Sequence, residues 1–144
     1  MKFTEDYLDS ALSNAKKWCS ESLSKHLEGY SGGFDFSIFY YIIDNEMIPD
    51  MCLDEEVDGL IRVSLRKIKW YLDREEVFKE HNILYSDYDV ESTFTHEMVE
   101  YLVHKDKSVY LDYIKKFGLI TPHKIALMIE NVNRRERGLN DWID

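Results

Sequence analysis

Two cysteines, two prolines and six glycines are all that the 144 residues contain of these types. Two cysteines, Cys19 and Cys52, are too few for a disulfide framework, and two free thiols in a reducing compartment are expected. The scarcity of glycine goes with the absence of a phosphate-cradling loop or a dinucleotide fingerprint, which disfavours nucleotide enzymes. No apolar run approaches the roughly 18–20 residues that span a bilayer. The opening stretch MKFTEDYLDS places three acids in nine residues and has no apolar h-region, so no secretory signal is expected and the cytoplasm is the expected location. Positive charge is also short. Eighteen Lys and Arg face 28 Asp and Glu, a net charge of −10. That field repels nucleic-acid phosphate and anionic lipid and attracts basic partners.

Apolar residues, by contrast, reach 44% and aromatics 14%, enough to fold one domain over residues 1–144 around a core. No repeat, low-complexity tract or dividing linker interrupts it. Charge is distributed unevenly. Residues 1–60 hold 13 acids and 4 bases, and 81–106 hold 6 acids and 1 base, whereas 61–80 and 107–144 are slightly basic.

Helix signals dominate. Thr4 is a good N-cap, and Leu8, Ala11, Leu12, Ala15, Cys19, Leu23 and Leu27 follow at three- and four-residue steps, predicting a helix over about 5–28 that Gly29 stops. Segment 34–48 suits either a helix capped by Asp35 or a buried strand, given its aromatic and β-branched content. Asp54 caps an expected long helix over about 55–80, with Val57, Leu60, Ile61, Leu65, Ile68 and Leu72 on one face. Further helices are expected over about 90–104, 107–117 (ended by Gly118), and from the Thr121–Pro122 cap pair to about 137. The fold expected is all-α, a single-domain bundle of five or six helices.

Several motifs of chemistry fall short. Gly29-Tyr30-Ser31-Gly32-Gly33 matches G-x-S-x-G by letter, but a helix enters it where the nucleophile elbow needs a strand. His96-Glu97 begins like H-E-x-x-H, but Glu100 stands where the second ligand would be. His96, Glu100 and His104 share a helix face, yet eight residues separate the two histidines by about 12 Å. No metal, cofactor or catalytic residue is expected. Residues 107–137 have the outline of a helix-turn-helix, but Arg134, Arg135 and Arg137 lie at the far end of its second helix rather than at the reading end.

The acidic–aromatic strip Tyr85, Asp87, Tyr88, Asp89 and Glu91, with Glu97, Glu100 and Tyr101 beyond it, is the expected partner-binding surface. Tyrosine supplies contact area at little entropy cost, and carboxylates select basic partners. In size, acidity and this Tyr85–Tyr101 texture the chain resembles bacterial toxin-immunity proteins, those acting against colicins and contact-dependent growth inhibition toxins. The resemblance implies tight binding of a basic nuclease and supplies no catalytic residues. The expected function is therefore that of a non-enzymatic acidic binding protein that neutralises a basic partner, with a toxic nuclease foremost. Two alternatives stand beside it: a nucleic-acid-binding regulator using the 107–137 hairpin, and a viral or phage inhibitor of a host protein.

Overall fold

The computed structural model describes residues 3–43, 56–82 and 88–143. They form six α-helices and one small sheet: α1 Glu5–His26, a 3₁₀ turn Phe36–Ile38, β1 Phe39–Ile42, β2 Glu56–Val57, β3 Leu60–Ser64, α2 Arg66–Asp73, α3 Glu75–Glu80, α4 Val90–Lys105, α5 Lys107–Phe117 and α6 Pro122–Glu136. The fold is mostly helical, as expected. No helix among the described residues is long and apolar enough to cross a membrane.

The helix caps follow their residue types. Thr4 Oγ1 accepts from the Tyr7 amide at 3.2 Å, and Thr121 Oγ1 from that of Lys124 at 3.2 Å, with Pro122 in the first turn of α6. Their oxygens satisfy amides that a helix start leaves without partners. Gly118 ends α5 at φ +78°, a backbone conformation that costs glycine little. Leu8, Ala11, Ala15, Cys19, Leu23 and Leu27 of α1 and its end are all buried on one face.

α4 is the central helix. It lies between α1 and α6, and eleven of its sixteen residues are buried. A helix covered on several sides has no wide solvent face left. Ala11, Ala15 and Cys19 are small, and they let α1 approach it closely. Complete burial of a side chain such as Leu23 contributes roughly 2–3 kcal/mol.

Two stretches depart from the helical expectation. Residues 55–80 do not form one helix. Val57-Asp58-Gly59-Leu60 is a tight turn with φ +54° at Asp58 and +77° at Gly59, linking β2 to its antiparallel partner β3. Asp-Gly suits that turn because both positions need positive φ. Beyond it Ile61, Val63 and Leu65 are buried at alternate positions, the period of a strand. Only then do α2 and α3 follow. In segment 34–48 the strand alternative prevails over residues 39–42. Asp35 caps only the 3₁₀ turn, accepting from the Ser37 amide at 3.0 Å. β1 pairs in parallel with β3, Phe39 opposite Ile61, so among the described strands the order β1-β3-β2 leaves β1 at an edge. The expected cap Asp54 lies outside the described residues.

Candidate functional site

The central position of α4 decides where the acidic–aromatic strip goes. Tyr85 and Asp87 lie outside the described residues. The remaining six are not a solvent-facing strip. Tyr88 is half-buried among Tyr71 (5.9 Å between ring centroids) and Trp142 (6.4 Å), and burial pushes its hydroxyl up to about 12. Asp89 caps α4, accepting from the Ser92 amide at 2.9 Å, and is clasped by Arg137. Glu91 takes the Arg137 Nε at 2.7 Å. Burial raises both carboxyls; bonds from Arg137 and Ser92 outweigh it for Asp89, which ends low, whereas the charge of Arg137 and a bond from Asn14 do not outweigh it for Glu91, which ends high. Tyr101 is buried with its ring edge-on to Phe39 at 5.7 Å. Glu100 is buried, and Glu97 lines a pocket.

The arginines of the 107–137 hairpin are likewise engaged within the chain. Arg134 is buried and donates to Ser92 Oγ at 3.1 Å and to the Asn140 carbonyl at 2.6 Å. Arg135 donates from Nε to Asp141 at 2.8 Å. Arg137 holds Asp89 and Glu91, as above.

Two places on the molecule combine polar groups with open volume. The first lies between α4 and α6. His96 and Glu100 are one turn apart on α4, and His123 and Glu130 two turns apart on α6. His96 Nδ1–H donates to Glu130 Oε1 at 2.8 Å. His96 Nε2 faces His123 Nδ1 at 3.1 Å and Glu100 Oε2 at 3.2 Å, and the latter two atoms are 3.9 Å apart. Burial alone would lower the His96 imidazole, but the bonds to Glu100 and Glu130 outweigh it and raise it to about 10. Without another cation, His96 is thus an imidazolium held between two carboxylates. His96, Glu100 and His123 together form a trio that could hold a metal ion. The trio adjoins a pocket of about 350 Å³ lined by Arg66, Lys67, Tyr88, Glu97 and Trp142, among others. The i,i+4 pairing of His96 with Glu100 was legible in sequence. His104 is not its partner, being exposed at the end of α4; His123, from another helix 27 residues on, takes that place.

The second place is a groove between α1 and β1, about 720 Å³, with Leu12, Tyr40, Ile42 and Ile43 along it and Glu5 and Asp9 at its rim. Tyr41 donates its hydroxyl to Asp9 at 2.7 Å, and burial followed by Asp9 raises that phenol. The charges around it are mainly acidic, with Lys16 as the one base among its lining residues. Along the groove α1 carries Glu5, Asp6 and Asp9, all exposed, before the half-buried Lys16. The chain leaving the groove at Ile43 runs into 44–57, which has six acids and no base. Elsewhere the described surface is balanced. Among the described residues twelve acids and thirteen Lys or Arg are exposed, while eight acids are half-buried or buried. Among the described residues the exposed charges are therefore nearly balanced, eight half-buried or buried acids outnumber four such bases, and the sequence segment 44–57 carries six of the remaining acids.

Comparison with protein-family models, with curated proteins and with solved structures returns no match.

Proposed function

We propose that this chain acts by stoichiometric binding, taking a basic segment of a partner protein into the groove between α1 and β1. The observation that carries this reading is the pairing of an apolar, aromatic floor with two exposed carboxylates, Glu5 and Asp9, against a single base, Lys16, which donates to the Ser37 carbonyl at 3.5 Å. Tyr40, Ile42 and Ile43 offer area to bury, and the carboxylates select positive partners and speed encounter. Among the described strands β1 lies at the edge, and an edge can also accept an extended segment through its backbone. The likeness to toxin-immunity proteins agrees with this mode, and makes a cytoplasmic nuclease toxin the partner to test first. The recognition surface is then α1 and β1, not the 85–101 strip. The pairing of Arg134, Arg135 and Arg137 within the chain weighs against the hairpin regulator.

The test is capture of partners from the native cell with the wild-type chain and with a variant combining Glu5→Gln, Asp6→Asn and Asp9→Asn. The neutral residues keep shape and spare the first turn of α1 a reversed charge. A basic protein retained by the wild type and lost by the folded variant supports the groove. Equal retention by both rejects it.

A further inference from the structure

We propose that His96, Glu100 and His123 bind one divalent transition-metal ion of zinc type, with the remaining coordination position open to the pocket between α2, α4 and α6. None of these residues, and none that line this pocket, lines the groove between α1 and β1, so the inference is independent of it.

The distances carry the inference. The three candidate ligand atoms, His96 Nε2, His123 Nδ1 and Glu100 Oε2, are separated by 3.1, 3.2 and 3.9 Å. A triangle with those sides has a centre about 2.0 Å from each corner. Zinc bonds run about 2.0–2.1 Å to imidazole nitrogen and about 2.0–2.2 Å to carboxylate oxygen, so an ion near that centre lies at bonding distance from all three atoms, and a rotation of the imidazoles away from each other aims them at it. Two imidazoles and one carboxylate are also a donor set that zinc, cobalt and iron accept, and one that hard calcium or magnesium does not favour.

The surroundings fit the same role. Glu130 accepts the Nδ1–H of His96 at 2.8 Å, which fixes the tautomer that leaves Nε2 toward the other two ligands. A carboxylate behind a ligating histidine orients the ring and raises its basicity. His96, Glu100 and Glu130 are buried, and Glu97 is close enough to feel the charges of His96, Glu100 and His123. Three carboxylates gathered in a covered place need compensating positive charge, and a divalent ion supplies twice what one imidazolium proton does. His96 and His123 both line the pocket, so the position they leave open faces a volume of about 350 Å³ rather than protein. Arg66 lines that pocket too, near enough to Glu97 for its charge to be felt there, so a small anion on the metal would meet it.

The experiment uses the whole chain stripped with a chelator and titrated with Co²⁺ and Zn²⁺, read by calorimetry and by the visible spectrum of cobalt. One equivalent is expected, with the d–d bands of a four- or five-coordinate nitrogen–oxygen site and no thiolate charge-transfer band. His123 is half-exposed, so His123→Ala should fold, as circular dichroism will confirm, and lose more than 100-fold in affinity. Glu130→Gln keeps every ligand and should lose about 10–100-fold. Glu100→Gln provides a second ligand variant should His123→Ala misfold, and should lose more than 100-fold as well. The proposal is overturned if the wild type takes up no stoichiometric metal, if the ligand variants bind as tightly as the wild type, or if thiolate bands place the ion on cysteine.

Discussion

Arg137, the residue that follows α6, clasps Asp89, the residue that caps α4. One carboxylate thus ends one helix and ties it to the next. It accepts from the Ser92 amide at 2.9 Å while the guanidinium closes on it from the other side. Arg137 also reaches Glu91 at 2.7 Å and Asn133 Oδ1 at 3.0 Å, so the junction of α4 with α6 is a small polar network around one cation.

Asp89→Asn tests that junction, because asparagine keeps the cap and removes the charge. Asp89 is held below its ordinary value when folded, against the effect of burial. The sign follows: its stabilisation is present above the ordinary carboxylate value and is lost as pH falls through the folded one. Urea unfolding should place the variant about 1–2 kcal/mol below the wild type at neutral pH. The gap should close well below the ordinary value of about 3.9. A gap that is constant with pH would mean that the charge of Asp89 does not matter.

Replacing Asp89 and Glu91 together by lysine is harsher. Their side chains are only 16% and 13% exposed, so the change sets two cations against Arg137 in a covered place. Breaking such a pair from one side costs about 3 kcal/mol or more, and the cap is lost as well. The thermal melt should fall markedly. An unchanged melt would return these residues to the solvent-facing strip.

Much of the fold was legible because cap and stripe agreed. Thr4 with the Leu8–Leu27 stripe, and Thr121 with Pro122, point to α1 and α6 from local chemistry alone. The stretch 55–80 was not legible in the same way. Leu60, Ile61, Leu65, Ile68 and Leu72 fit helical steps, while Ile61, Val63 and Leu65 fit alternation, and only the Asp58-Gly59 pair breaks the tie in favour of a hairpin. The strip was misread for a tertiary reason. α4 carries enough acids to look like a surface helix, but its partners Arg137, His96 and His123 come from elsewhere or lie on its own covered side. The spacing of His96 and Glu100 marks a helix face, and nothing local could add a histidine from α6.

Cys19 should resist alkylation in the native chain. It is buried on α1 with no disulfide, and burial pushes its thiol well above the ordinary range, which starves it of thiolate. Mass spectrometry after brief treatment with a maleimide should find Cys19 unmodified natively and modified in denaturant. Rapid native labelling of Cys19 would mean that the packing of α1 against α4 opens readily.

Binding at the groove should carry a kinetic signature. Opposite charges raise the rate of encounter, and at physiological salt their reach is about 8 Å. The rim of Glu5, Asp6 and Asp9 is exposed, so its contribution is screened as salt rises. Contacts on Leu12, Tyr40, Ile42 and Ile43 are buried on docking and feel salt far less. Surface plasmon resonance with the captured partner should therefore show association slowing about tenfold or more between low and high salt, while dissociation changes little. Neutralising the three acids should flatten the salt dependence of association, and Ile43→Ala should quicken dissociation and leave that dependence intact. If salt acted instead on dissociation, or if the neutral variant kept the full dependence, the attraction would have to come from acids other than those at the rim of α1.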